Sequence, residues 1–137
     1  MRVNGILLKK LEVLDQVLRE LQSLPTIGVA DLHSDWRLRR AAERDLQILV
    51  EVVIDVCQRL IAHAGERPAT TSAGAIDACV ALGVLDSAQP YRRMVQFRNL
   101  LVHRYEDIDV QVLADILRSH LQDFVRFRDQ VLRYAQG

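Results

Sequence analysis

The sequence predicts a single all-α domain over residues 1–137, folded as an antiparallel up-and-down bundle of four main helices and one short helix. Apolar residues recur at steps of three and four along most of the chain, as they do on one face of an α-helix. Proline and glycine separate these stretches. No stretch alternates apolar and polar residues as a half-buried strand would, so helix packed on helix is the expected architecture.

The first helix is predicted from Val3 to Leu24, with Pro25 and Gly28 ending it. Its leucines recur at alternating steps of four and three, which is the narrow apolar stripe of a helix in a bundle. The stripe consists of Leu7, Leu11, Leu14, Leu18 and Leu21.

The second helix is predicted from an N-cap at Asp35 to about His63, with Trp36 packed at its start. It carries two apolar stripes about 100° apart. The first stripe is Leu38, Ala42, Leu46, Leu49, Val53, Val56 and Leu60. The second stripe is Val50, Ile54, Cys57 and Ile61. Because so wide an arc covers more than one neighbour, we expect one stripe to face the core and the other to be able to face a second subunit, which favours a homodimer.

Three further helices complete the bundle. A short one is predicted over Ser72–Leu82, closed by Gly83 as the residue after the C-cap. Ser87 is a candidate cap for the next helix, which has Pro90 in its first turn. The last helix is expected to be one continuous element. Its candidate caps are Asp107 and Asp109.

Composition narrows the class of protein. Half of the residues are hydrophobic and the formal net charge is zero, which argues against a protein that coats nucleic acid through a broad basic field. No apolar run approaches the length of a membrane span, so a cytoplasmic location is expected. Cys57 and Cys79 lie in apolar helical patterns and are interpreted as reduced core thiols. Without a C-x-x-C pair or a Cys/His cluster, no metal site and no cofactor are expected.

The segment from Arg98 to Tyr105 carries the chemistry. It places Arg98, Asn99, His103 and Tyr105 within eight residues, interleaved with apolar residues. Arginine can hold a scissile phosphate with two hydrogen bonds, and histidine can move protons near neutral pH. Asparagine could hold the histidine or a phosphate oxygen, and tyrosine could bind a phosphate or stack on a base. This set suits cleavage of an RNA phosphodiester.

Helical spacing divides the segment between two faces. Arg98 and Tyr105 share one face, Asn99 and His103 share another, and the two faces differ by roughly 140°. Either the helix ends near His103 so that the chain turns back, or the set is completed across a dimer seam. The plainer interpretation is that these residues are a cap, a salt bridge and a packed ring at a helix end.

Other polar residues are weaker candidates. Arg93 and Arg104 flank the segment and could contact phosphates or RNA, although a solvated helix face is the simpler interpretation. Glu43 and Asp45 lie on or beside the apolar stripes of their helix. A carboxylate there could pair with Arg98, with neighbouring arginines or with another subunit, and the simpler interpretation is a solvated or salt-bridged edge residue.

The segment resembles the R-x4-H-x-Y signature of HEPN domains. Further likeness to the HepT-like (DUF86) branch lies in the run from Ala42 to Gln47 followed by Glu51 and Asp55, in Leu82–Leu85, and in Tyr105–Asp109. The resemblance covers roughly Leu11 to Phe127. It is therefore carried by the order of several segments along most of the chain.

This resemblance implies a fold and an activity. HepT-like proteins are helical homodimers and metal-independent endoribonucleases, the toxins of type VII-like HEPN/MNT toxin–antitoxin modules. The partner antitoxin is a minimal, MntA-like nucleotidyltransferase that can silence the toxin by adenylylating the motif tyrosine. Carried over, Arg98 and His103 would be the catalytic pair, Asn99 a supporting residue, and Tyr105 a supporting residue and the site of adenylylation.

Two other functions remain open from the sequence. HEPN-like bundles also serve as non-catalytic accessory subunits of minimal nucleotidyltransferases, and such a subunit would bind the transferase without cutting RNA. The third interpretation is a purely structural dimeric bundle that carries the motif by chance.

Overall fold

A computed structural model describes residues 5–24, 27–103 and 109–137, and these residues contain no strand. The all-α class predicted from the sequence is therefore confirmed. The seven helices of the described residues are α1 (Gly5–Ser23), α2 (Val29–Ser34), α3 (Trp36–His63), α4 (Ser72–Ala81), α5 (Gln89–His103), α6 (Val110–Ser119) and α7 (Leu121–Gln136).

Helix α3 begins and ends where the sequence predicts. The Asp35 side chain caps its first turn by accepting from the backbone nitrogens of Arg37 and Leu38, each at 3.1 Å. At the other end, Gly65 has a φ of 80° and donates to the Ala62 oxygen at 3.0 Å. This left-handed turn satisfies carbonyls that the end of a helix leaves without partners.

Helix α4 ends in the same way at Gly83, as predicted. The φ of Gly83 is 82°, and its nitrogen donates to the Val80 oxygen at 3.0 Å. The next nitrogen, of Val84, donates to the Cys79 oxygen at 2.9 Å. The pair of bonds forms a Schellman motif, which reverses the chain toward α5.

Three local features differ from the prediction. A short helix, α2, follows Gly28, whose nitrogen donates to the Asp31 carboxylate at 2.8 Å. Helix α5 begins at Gln89 with the Ala88 oxygen accepting its first bond, so Ser87 is not its N-cap. The last helix is divided into α6 and α7 at His120, which has φ −121° and ψ 3°. No proline or glycine marks this division.

The His120 side chain lies at the junction of α6 and α7. Its ring nitrogens are 3.4 Å from the Asp115 carboxylate and 3.3 Å from the Asp123 carboxylate. Asp109, one of the two predicted caps, accepts from the Gln111 nitrogen at the start of α6. The other, Asp107, lies outside the described residues, as do Val3 and Pro25 at the predicted bounds of the first helix.

Helix α3 is the centre of the bundle, because α1, α2, α4 and α5 all pack against it. Its second stripe is buried within the chain itself: Val50, Cys57 and Ile61 are each at most 2% exposed. Only Ile54 of that stripe is partly exposed. The interpretation that leaves this stripe for a second subunit is therefore wrong, since the chain's own helices cover it.

Two pairs of charged residues show the direction of α1 against α3. Lys10, in the first half of α1, forms an ion pair with Asp55 in the second half of α3. Asp45, in the first half of α3, faces Glu20 near the end of α1; burial and then the Glu20 charge raise the pKa of the Asp45 carboxyl. The two helices thus run antiparallel, as predicted.

The two cysteines are buried and reduced, as the sequence analysis expects. The Cys79 thiol donates to the Cys57 backbone oxygen at 3.6 Å. The interaction with the neighbouring Cys79 thiol, and then burial, raise the pKa of the Cys57 thiol. Among the described helices, none is long and apolar enough to cross a membrane.

Replacing Gly83 by alanine should destabilise the protein by about 1 kcal/mol, because a side chain disfavours the left-handed backbone that Gly83 adopts. Gly5→Ala is the matched control. Neither added methyl group would meet an atom within 4 Å, but Gly5 lies in α1 and has no positive φ. Urea denaturation should show a lower midpoint for Gly83→Ala alone; equal midpoints for the two variants would contradict the conformational explanation.

Candidate active site

Helix α5 presents two different faces, and these determine which motif side chains reach solvent. The buried residues are Tyr91, Met94, Val95 and Phe97. The Tyr91 ring meets Phe127 edge-on at 5.6 Å between centroids, and its hydroxyl donates to the Asp123 backbone oxygen at 3.2 Å. These contacts fix the rotation of α5 about its axis. The side turned to solvent carries Arg92, Arg93, Gln96, Asn99, Leu100 and His103.

The Arg98 side chain lies on the inner side of α5 and is half-buried. Its Nη2 donates to the Ser72 hydroxyl at 3.0 Å, which ties it to the first residue of α4. Its Nε is buried and has no hydrogen-bond partner among the described residues. An arginine held in this way is fixed in position, and its Nε is a buried donor that the described residues leave unsatisfied.

Asn99 and His103 lie one turn apart and are both exposed. Because α5 is continuous over these positions, the directions of Asn99 and His103 differ from that of Arg98 by roughly 100° and 140°. No hydrogen bond joins Arg98 to His103 among the residues that the structure describes. Arg98 is therefore separated from Asn99 and His103 as the spacing predicts, whereas the predicted place of Tyr105 beside Arg98 lies outside the described residues.

The described part of α5 extends to His103. Arg104 and Tyr105 lie outside the described residues, so the predicted helix end near His103 and the predicted roles of these two residues stay predictions.

The two arginines at the start of α5 differ in their partners. Arg92 Nη1 donates to both carboxylate oxygens of Asp77 on α4, at 3.2 and 3.0 Å. Arg93 is exposed and makes no hydrogen bond or ion pair with a described residue. It lines a cleft of about 400 Å³ whose other walls include Met94, His120 and Asp123. Of the two, Arg93 is the arginine available to a ligand.

The carboxylates noted on α3 have separate surroundings. Glu43 is 7% exposed, and its carboxylate lies 3.7 Å from Arg40 Nη1, one turn earlier. A contact with a neighbouring arginine was one of the interpretations left open by the sequence. Asp45 faces Glu20 on α1 instead, and is not part of the Arg98 surroundings.

One residue of this site, Ser72, was not predicted from the sequence. It was assigned only as the start of the short helix, and nothing in its local pattern links it to a position 26 residues later. The contact exists because α4 packs antiparallel on α5: Ser72 at the start of α4 meets Arg98, whereas Asp77 meets Arg92.

Comparison with known proteins identifies the family. Residues 14–131 match the family model described as Ribonuclease HepT-like. The chain belongs to the HepT-like ribonuclease family. It is 21% identical over 131 residues to the mRNA nuclease HepT of Shewanella oneidensis, a match that covers 94% of this chain and 98% of that protein.

Solved structures show the same HepT-like fold. A tri-AMPylated Shewanella oneidensis HEPN toxin, solved in complex with an MNT antitoxin, superposes with a TM-score of 0.87 at 20% identity and covers 96% of this chain and 99% of its own. A toxin–antitoxin structure with AMP-PNP gives 0.84 at 19% identity, covering 94% and 99%. YutE, a cytosolic protein of unknown function from Bacillus subtilis, gives 0.80 at 18% identity, covering 95% and 88%.

The contact between Ser72 and Arg98 yields a prediction for activity. Ser72→Ala should lower kcat/KM for RNA cleavage about fivefold, because the guanidinium loses one fixed contact. Ser72→Thr retains the hydroxyl and should recover most of this loss. Ser23→Ala, which removes an exposed serine at the end of α1, should have no effect. Equal rates for Ser72→Ala and Ser72→Thr would show that the hydroxyl does not position Arg98.

Proposed function

We propose that this HepT-like protein is a metal-independent endoribonuclease toxin of a HEPN/MNT toxin–antitoxin module, silenced when a partner nucleotidyltransferase adenylylates Tyr105. The observation that carries the proposal is the Arg98 guanidinium, which Ser72 holds half-buried on the helix that also carries exposed Asn99 and His103. The family match and the toxin–antitoxin complexes among its structural neighbours support it.

The proposed reaction uses the RNA's own 2′-hydroxyl. Its oxygen attacks the adjacent phosphorus and the bond to the 5′-oxygen of the next nucleotide breaks, which leaves a cyclic phosphate. The proton of the 2′-hydroxyl must be removed and the leaving oxygen must gain one; His103 can do either, according to its protonation state. Arg98 would stabilise the negative charge that develops on the phosphate oxygens, and Asn99 would support His103 or a phosphate oxygen.

A homodimer is part of the proposal. On a single α5, Arg98 and His103 point in directions that differ by roughly 140°, so one copy of the helix does not direct both toward one phosphate. A second copy facing the first could complete each site. Leu100, three residues before His103 on the exposed side of α5, is 40% exposed, and an apolar side chain at this position suits contact with another chain.

Adenylylation of Tyr105 would act through charge and bulk. Tyr105 follows His103 by two residues, so an AMP group on it would place a negative phosphate close to the residues proposed to bind the RNA phosphate. The structural neighbour that is tri-AMPylated and bound to an MNT antitoxin supports this mode of control. Arg93, which has no ion-pair partner among the described residues, and Arg104 are proposed to contact the RNA on either side of the cleavage position.

His103→Ala should abolish RNA cleavage by the purified protein, because no other group in the scheme moves the proton. The assay uses a metal chelator and protein freed of its transferase. His63→Ala is the matched control: His63 is likewise an exposed histidine on a helix, at the end of α3, and its loss should leave the rate unchanged. Cleavage that persists in His103→Ala, or stops when the chelator is added, would contradict the proposal. A wild-type chain that binds the transferase without cutting RNA would instead be an accessory subunit.

Tyr105→Phe should prevent the gain of AMP when the protein is incubated with its transferase and ATP, because the phenolic oxygen is the proposed acceptor. Intact-mass spectrometry measures each AMP unit directly. Tyr134→Phe, which alters a half-buried tyrosine on α7, should leave the mass gain unchanged. The same AMP gain on Tyr105→Phe as on wild type would mean that another residue is modified.

A further inference from the structure

The chain has one tryptophan, Trp36. Among the described residues, it is the most exposed large hydrophobic residue. Trp36 is 62% exposed, so the prediction that it packs at the start of α3 is wrong. It is the first residue of that helix, and the first buried residue of the helix is Ala42. The Arg37 guanidinium lies 5.3 Å from the ring centroid. A large aromatic ring left in solvent beside a cation is typical of a binding surface.

Helical spacing brings two more arginines to the same side of α3. Arg40 and Arg44 follow Trp36 at intervals of four residues, and both are exposed. We call the group formed by Trp36, Arg37, Arg40 and Arg44 the Trp36 platform. Along the axis, its positions 40 and 44 stand about 6 and 12 Å beyond Trp36.

The acidic residues nearby leave the arginines of the platform exposed. The Asp35 carboxylate accepts from the backbone at the helix start, and Asp45 is turned toward α1. Glu43 is buried, and it approaches Arg40 only to 3.7 Å while the Arg40 side chain stays 68% exposed. The platform is therefore a local cationic surface on a chain whose net charge is zero.

We propose that the Trp36 platform binds a single-stranded segment of RNA outside the cleavage site. An unpaired base would stack on the Trp36 ring, and Arg40 and Arg44 would contact successive phosphates. Stacking on an exposed ring requires a base that is not already paired, and a chain without a broad basic field needs such local contacts to hold RNA. The inference rests on the proposed ribonuclease function and adds to it a second point of contact with the substrate.

A protein partner is the competing occupant, since tryptophan and arginine are also common at protein interfaces. The regular spacing of cations along one helix face, beginning at a stacking ring, favours a strand with a repeating charge. On this basis the platform should lower the KM for RNA that carries a single-stranded flank, with little change in kcat.

The test uses Trp36 itself as the reporter, because no other tryptophan contributes to the fluorescence. The His103→Ala protein prevents cleavage during the measurement. Titration with an oligouridylate or oligoadenylate strand should quench the fluorescence in proportion to binding, whereas a fully paired RNA duplex should not. If neither strand changes the emission at concentrations that bind the protein, the proposal is overturned. Quenching by the partner transferase but not by RNA would likewise overturn it, by assigning the surface to a protein.

Variants separate stacking from charge. In the same background, fluorescence anisotropy of labelled RNA should show Trp36→Ala binding roughly fivefold or more weakly, with Trp36→Phe recovering part of the loss. Arg40→Gln should lower the slope of log Kd against log salt concentration by about 0.7, the value for one phosphate contact on a single strand. Trp36→Ala should leave that slope unchanged.

Arg59→Gln is the control for charge. It removes the same charge from an exposed position on the same helix, where Arg59 lies 3.7 Å from the Asp55 carboxylate, and it should change neither Kd nor slope. Equal effects of Arg40→Gln and Arg59→Gln would mean that RNA responds only to the total charge of the protein, and this result would overturn the proposal. Failure of the proposed function is distinguishable from failure of the platform. The proposed function is tested by cleavage with His103 intact, on RNA without a flank, which does not reach the platform.

Discussion

The fold depends on the burial of α3 on both of its apolar stripes. This helix is 28 residues long, and α1, α2, α4 and α5 pack on it directly. Burial of residues such as Leu49, Val56 and Cys57, all fully inaccessible, supplies the apolar contact that outweighs the entropy of ordering the chain. Because so many helices share one partner, the position of each is fixed relative to the others through α3.

The candidate active site is a consequence of this arrangement. The contacts of Tyr91 with Phe127 and Asp123 on α7 hold α5 in one rotation. In that rotation Arg98 turns inward to Ser72, and His103 turns outward. A guanidinium that must stabilise charge gains from being half-buried and fixed, since hydrogen bonds to a charged group are stronger where water is partly excluded. A histidine that exchanges protons gains from access to solvent and substrate.

The charge distribution shows how a chain with no net charge can act on a polyanion. Some of its exposed charges are paired locally, as Arg92 is with Asp77 and Arg126 with Asp123. Arg93, Arg37 and Arg44 form no ion pair with a described residue, and Arg40 lies 3.7 Å from the Glu43 carboxylate while its side chain stays 68% exposed. A few arginines of this kind can direct RNA to particular places, whereas a uniformly basic surface would bind it anywhere.

The sequence by itself determined the all-α class, the bounds of α3 and α4, the reduced core cysteines and the separation of Arg98 from Asn99 and His103 around α5. These follow from short-range rules, because caps, glycine turns and apolar periodicity depend on neighbours within a few residues. The motifs of the chain also indicated the HepT-like family, and comparison with known proteins confirmed it.

Only the tertiary structure decided which surfaces were covered. It buried the second stripe of α3 within the chain, left Trp36 in solvent, divided the last helix at His120 and placed Ser72 against Arg98. The burial of the stripe and the contact between Ser72 and Arg98 depend on residues far apart in sequence that meet when the helices pack. The periodicity of a sequence predicts that a helix has an apolar face. Which neighbour covers that face depends on the packing of the whole bundle.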